Sequence, residues 1–330
     1  MFNKAFPAFL LCLFLLHGSS RPQAPTAALK YQAIGDKPEL LAVYEAWFGF
    51  SKHISVGYSS HDPKVIKRQM RRARAAGISG FVVDWYGDRE PFIDDSYALM
   101  QKTAAKEHFK IAMMYDETDA DVGATDEAIA DFTMFHNTYL SPKSPGANAY
   151  LTYDGRPIIF VFPKGGHTDW DKVRSLINTW NPVPILIDEN LPGKYAADFD
   201  GYYAWISPGN AGWKQDGSNW GQQYLTNFYQ TMLDKYSDKM IIGGAWATFD
   251  DKNASWGLNR HISAQCGQTF KDTFSFWRSQ FPKNEIIPFL LIETWNDYEE
   301  GTAVEPGIPT CGGKPEKLRR ALKSLTTAGD

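Results

Sequence analysis

Cysteine is scarce in this 330-residue chain: there are three, and no two stand as Cys-x-x-Cys. That argues against a zinc ribbon or a dithiol redox site. The seven histidines are scattered, with no His-x-His and no His-Glu-x-x-His, which counts against a metal-dependent hydrolase. Gly-x-Ser-x-Gly is missing, and with it the usual serine-hydrolase elbow. No glycine-rich phosphate loop follows the first strand-like segment, which lowers an open, doubly wound nucleotide-binding sheet to second choice. Basic charge is limited, with 34 Lys and Arg against 38 Asp and Glu, a net charge of −4 and no basic stripe. A nucleic-acid partner is therefore not expected. Linkers rich in Pro, Gly or Ser, internal repeats and signs of a second domain are absent too.

Long apolar runs are equally rare. One spans Ala5 to Leu16, twelve residues after Lys4, and is followed by small and polar residues in 17–20 and 23–28. This is the pattern of an export signal, too short to span a bilayer comfortably. The expected layout is a signal over 1–28, cut within 18–28, and a catalytic domain over 29–330. A signal anchor is the alternative. Cleavage would give a secreted protein, extracellular or periplasmic, with no membrane attachment. Cys12 lies inside the signal and lacks the small residue expected before a lipidated cysteine. Cys266 and Cys311 remain, and in an exported chain such a pair can form one disulfide, although spacing alone does not bring them together. Asn253-Ala-Ser255 is a glycosylation sequon that matters in a eukaryotic secretory host.

What the chain does hold is apolar and aromatic. Hydrophobic residues make up 43%, enough for a sizeable core. Aromatics reach 15%, with 11 Trp and 16 Tyr, and carbohydrate sites are one common reason for such a surplus. Strand-like segments fall at 41–47, 80–86, 110–117, 157–162, 183–188, 201–206, 240–246 and 286–295. Helix-like segments fall at 63–76, 94–107, 125–139, 219–236 and 267–280. The first helix is marked by Asp62 as N-cap, Pro63 at the first position and Gly77 as the stop. Eight short apolar strands alternating with helices predict an α/β fold, a single (β/α)8 TIM barrel.

The C-terminal ends of barrel strands carry the chemistry in such folds. Here they read Trp47, then Asp84-Trp85-Tyr86, Tyr115-Asp116-Glu117, Asp188-Glu189, Trp205 with Ser207, Trp246 with Asp250, and Asn296-Asp297 with Glu300. Each has a second reading: an Asp after a strand is often the N-cap of the next helix, and a Trp there packs the rim as often as it binds sugar. The densest stretch is Glu293-Thr-Trp-Asn-Asp-Tyr-Glu-Glu-Gly-Thr-Ala-Val-Glu-Pro306, straight after the apolar run Ile286 to Ile292. Carboxylates supply acid and base, and flat rings stack on pyranose faces, so this combination suggests a glycan-cleaving site.

Trp295-Asn-Asp-Tyr-Glu-Glu-Gly-Thr-Ala-Val-Glu-Pro306 resembles the C-terminal signature of glycoside hydrolase families 99 and 71, the endo-α-mannosidases with their relatives and the α-1,3-glucanases. The Trp-Asn-Asp-Tyr start is closer to family 71, and the Glu-Gly-Thr continuation to family 99. Gly57-Tyr-Ser-Ser-His-Asp-Pro63, Ala76-Gly-Ile-Ser-Gly-Phe-Val-Val-Asp-Trp-Tyr86 and Asp154-Gly-Arg-Pro157 extend the resemblance to family 99 over most of the mature chain. Carried over by motif, the resemblance implies that Asp297 and Glu300 are the catalytic carboxylates, with Asp116 a further acidic residue on the third strand. Family 99 has Glu at the first position. Asp297 departs from that and matches family 71.

On this reading Glu300 protonates the leaving oxygen and Asp297 stays ionised as general base. An inverting course is the slightly favoured one, and it calls for carboxyls about 6.5–9.5 Å apart. Internal attack of the sugar's own 2-hydroxyl, as implied by family 99, is the other. Asp84 and Asp116 would hold hydroxyls; Trp47, Trp85, Tyr115 and Trp246 would stack; Trp295 would be a further substrate-binding residue; Asn296 would orient the acid; Glu299 and Glu305 would be solvated or structural. The expected partner is a poly- or oligosaccharide of the α-1,3-glucan or α-mannan class, with no cofactor and no metal. The competing readings are a glycan-binding barrel without turnover and an accessory protein of polysaccharide biosynthesis.

Overall fold

Eight parallel strands close on themselves. They are β1 (Glu39–Glu45), β2 (Ile78–Trp85), β3 (Lys110–Asp116), β4 (Arg156–Phe162), β5 (Ile185–Glu189), β6 (Gly201–Tyr203), β7 (Met240–Trp246) and β8 (Phe289–Glu293). The structure is a computed structural model that describes residues 28–206, 208 and 219–327. The expected signal with Cys12, and Ser207, lie outside the described residues. Each strand pairs with its successor, and β1 pairs with β8 in the register Leu41 with Leu291, so the ring is complete. This is the (β/α)8 barrel that the alternation of segments predicts.

The helices are α1 (Pro63–Ala76), α2 (Pro91–Glu107), α3 (Ala124–Phe135), α4 (Trp170–Ile177), α5 (Gln222–Lys235), α6 (Gln268–Gln280) and α7 (Leu318–Thr327). The start of α1 is as the sequence signals: Asp62 accepts from the Lys64 N–H, Pro63 follows, and Gly77 ends the helix at φ +102°. Such a cap is worth about 1 kcal/mol. Two helices were not foreseen. α4 is only eight residues long and buries Trp170, Val173 and Ile177. α7 lies at the C-terminal end and buries Leu318, Ala321 and Leu322. Between β5 and β6 the described chain makes turns rather than a helix, where Leu191-Pro-Gly193 interrupts any helical run. Among the described residues no helix is long and apolar enough to cross a membrane.

Strand alternation decides what faces where. On β1 and just past it, Val43, Glu45 and Trp47 line a cavity inside the barrel mouth; on β2 and just past it Asp84 and Tyr86 do, and on β3 Met114 and Asp116. The residues between them turn to the helices. The Tyr44 hydroxyl donates to Gln69 in α1, the Trp85 indole to Asp94 in α2 and the Tyr115 hydroxyl to Asp131 in α3.

Candidate active site

The cavity at the C-terminal mouth has a volume of about 520 Å³. Its wall carries the carboxyl groups of Glu45, Asp84, Asp116, Asp297 and Glu300, the rings of Trp47, Tyr86, Trp205 and Trp256, and the side chains of His53 and Lys164. The elements that bring these together can be traced one at a time.

The segment after β8 folds back on itself. Thr294 N–H donates to the Thr302 carbonyl, Ala303 N–H to that of Asp297, Val304 N–H to that of Thr294, and Glu305 N–H to that of Trp295. Inside this loop the Asp297 N–H donates to Thr294 Oγ1 at 2.7 Å. Asp297 Oδ1 in turn accepts the N–H groups of Glu299 and Glu300 at 2.8 and 2.9 Å. One oxygen of Asp297 is thus fixed by the backbone. Glu300 Oε1 accepts the indole N–H of Trp256 at 2.8 Å.

Trp256 comes from a strap, residues 247–267, between β7 and α6. A two-residue pairing of Phe249–Asp250 with His261–Ile262 closes it. The buried Asp251 holds its turn, accepting N–H groups of Leu258 and Arg260 and the Arg260 guanidinium at 2.7 Å. The strap is tied to the loop that carries Asp297 and Glu300 by the Asp250 N–H, which donates to the Glu300 carbonyl at 2.7 Å. At its far end Cys266 is disulfide-bonded to Cys311, with Cα atoms 4.6 Å apart, so the two cysteines do meet.

Across the mouth, Lys164 forms an ion pair with Asp116 at 2.6 Å. The loop that carries Lys164 is wound around the carboxylate of Glu117, which accepts N–H groups of Lys164, Gly166 and Thr168. Tyr86 donates to Asp84 Oδ2 at 2.8 Å. Trp47 stacks on His53 at 4.7 Å between ring centres, and His53 Nδ1 sits 2.8 Å from Glu299 Oε2. Glu299 is therefore structural. So is Glu305, which accepts from Tyr58, Gln69 and Tyr298.

The carboxyls titrate high because they are buried together. Burial pushes Asp297 up to about 8, with the Glu300 charge adding to it and the two backbone N–H groups opposing. Glu300 is also raised by burial, against the Trp256 indole. Glu45 and Asp116 are raised well above the carboxylate range, first by burial and then by Asp84. The upward push on Asp297 runs against the expectation that it stays ionised. Burial and mutual repulsion favour a proton on the Asp297–Glu300 pair over two ionised carboxylates.

Five of the ten expected site residues line the cavity: Trp47, Asp84, Asp116, Asp297 and Glu300. The other five do not, for identifiable reasons. Trp85 and Tyr115 neighbour Asp84 and Asp116 along a strand, so alternation sends them to the helix layer, where neither is exposed at all. Trp246 is turned out towards α5 and α6, its indole donating to the Trp220 carbonyl. Trp295 packs on Phe81 with ring centres 5.4 Å apart. Asn296 grips the main chain of Glu45, its Oδ1 accepting the N–H and its Nδ2 donating to the carbonyl at 2.8 and 2.9 Å. It positions Glu45 rather than a ligand. Glu45 was missed although it lies two residues before Trp47. Lys164, His53 and Trp256 were missed because loops give no periodic signal.

No protein-family model matches the chain, nor does any curated protein sequence. Solved structures do. The GH99 endo-alpha-mannosidase from Bacteroides thetaiotaomicron superimposes with a TM-score of 0.63 over 90% of this chain and 99% of that one, at 15% identity. A glycoside hydrolase-like protein superimposes with a TM-score of 0.62 over 92% and 96%, at 13% identity. At these identities the likeness is one of fold.

Proposed function

We propose that the protein is an exported glycoside hydrolase that cleaves α-linked glycans of the α-1,3-glucan or α-mannan class, with Asp297 and Glu300 as its working pair. One observation carries this reading. Two carboxyls three residues apart are held on a backbone-braced loop, facing a cavity walled by Trp47, Tyr86, Trp205 and Trp256. Carboxyl pairs in an aromatic cleft are the equipment of glycosidic bond cleavage. The fold shared with an endo-α-mannosidase and the signature at Trp295 to Pro306 support the same class. The N-terminal apolar run and the disulfide support export.

Roles follow from how each carboxyl is held. Glu300 has one oxygen engaged by Trp256 and the other free to carry a proton to the leaving oxygen. Asp297 has one oxygen fixed by two N–H groups and the other free to accept a proton, from water or from a sugar hydroxyl. The pair works when it holds one proton: the glycosidic oxygen receives it from Glu300, and the pair is reset when Asp297 takes one from the nucleophile. Trp256 and Trp205 supply stacking faces.

The test is release of new reducing ends from a panel of α-1,3-glucan, α-mannan and other α-glucans by the mature protein. Release from one polymer supports the reading. Saturable binding without release from any of them would assign a glycan-binding role instead.

A further inference from the structure

We propose that Glu45 and Asp84 form an ammonium-binding subsite in the cavity, so that the glycan recognised here carries an unacetylated amino sugar. This rests on reading the cavity as a glycan site.

The argument is one of unmet pairing. Most carboxyls in the cavity wall have a partner: Glu90 has Lys52 at 2.5 Å, Asp116 has Lys164 at 2.6 Å, Asp297 has two backbone N–H groups and Glu300 has the Trp256 indole. Glu45 and Asp84 are different. They are register partners on adjacent strands, at the same level of the barrel mouth. They are 4% and 7% exposed. Asp84 Oδ2 accepts from Tyr86, and the Glu45 and Asp84 carboxyls are within hydrogen-bond reach of each other, but among the described residues no backbone N–H, lysine or arginine donates to Glu45 Oε2 or Asp84 Oδ1. Among the described residues Lys164 is the one lysine or arginine in the cavity wall, and its ion pair is with Asp116.

Burying a carboxylate without a partner is costly. A proton shared between the two groups relieves it. A ligand ammonium does more, bringing a full charge and three N–H donors, enough for both orphaned oxygens at once. A sugar hydroxyl brings one donor and no charge. An acetamido group also brings one donor, and its carbonyl oxygen would face carboxyls. A metal ion suits the place less well, since among the described residues no three His, Cys, Asp or Glu side chains converge as ligands.

Binding is measured by calorimetry with three matched methyl α-glycosides: the 2-amino-2-deoxy sugar, its N-acetyl derivative and the parent 2-hydroxy sugar, each in the gluco, galacto and manno series. The titrations are run at low salt near pH 6.5, where the amine is charged. The expected result is that in at least one series the amine binds ten-fold or more tightly than both partners. Glu45→Gln and Asp84→Asn should each reduce that preference to under three-fold. Equal affinities across all three series overturn the proposal, and this comparison needs only the wild-type protein. A preference that survives both substitutions overturns it as well, because the ammonium then pairs elsewhere. Amine preference with no hydrolysis of any polymer would leave this subsite standing while removing the hydrolase reading.

Discussion

The indole N–H of Trp256 donates to Glu300 Oε1 at 2.8 Å, joining the tip of a strap to a carboxyl 44 residues away in the chain. The hydrogen bond favours the ionised form of Glu300 and so lowers its pKa against the upward push of burial. Removing the donor should raise it. Trp256→Phe keeps the ring and deletes the N–H. We expect kcat to fall roughly ten-fold, about 1.4 kcal/mol, and the alkaline limb of the activity profile to move to higher pH. An unchanged limb would show that the contact does not tune the acid.

The aromatic residues divide into those that meet the ligand and those that hold the barrel. Trp205 lines the cavity; Trp246 is fully buried behind it, bonded to the Trp220 carbonyl. Trp205→Ala should raise KM about ten-fold with kcat little changed, the mark of lost uniform binding. Trp246→Phe should leave KM unchanged and lower stability by about 1–2 kcal/mol, through the loss of packing and one hydrogen bond. Steady-state kinetics with thermal melts separates the two.

Cys266 and Cys311 close a loop spanning 45 residues. On the chain-entropy argument that constraint is worth about 4 kcal/mol. For a chain of this size the double Ser variant should melt on the order of 6 °C lower. The strap begins to lose its anchor at the same time, so activity should fall before the global melt. A variant that melts with the wild type would mean that the unfolded chain is already constrained in another way.

Burial pushes Asp188 up to about 7 and Glu189 to about 8, the latter helped by the Asp188 charge. Both folded values lie above the ordinary carboxylate values near about 4. Protons therefore bind more tightly in the folded state, and the stability these groups contribute is complete below about pH 4 and is lost as pH rises through 7 and 8. Asp188→Asn removes one such group and lowers its neighbour. The Tm difference, variant minus wild type, should grow from pH 5 to pH 9. A difference constant with pH would contradict the assignment.

The barrel was legible because each strand is a short apolar run and most are set off by helix signals, and β7 spans 240–246 in both readings. Glu300 and Asp297 were legible through their motif. The strand-end aromatics were read one by one rather than in alternation, and so Trp85 and Tyr115 were counted with Asp84 and Asp116, from which they are separated by the sheet itself. Applied from Trp47 backwards, the same period of two gives Glu45. Lys164 and Trp256 could not be found this way: their positions depend on the carboxylates of Glu117, which gathers N–H groups from a loop distant in sequence, and of Asp251, which gathers those of Leu258 and Arg260 within its own strap. α4 was passed over because eight residues give barely two turns of pattern.

The central claim is that Glu300 delivers a proton to a leaving glycosidic oxygen. It is tested most directly by comparing Glu300→Gln with wild type on two substrates of the same sugar: the glycan that the protein cleaves, and the corresponding α-glycosyl fluoride, whose leaving group departs without protonation. The account predicts a loss of 100-fold or more, on the order of a general-acid contribution, on the glycan, and a loss of under about ten-fold on the fluoride. Equal losses on both, or no loss on either, would contradict it.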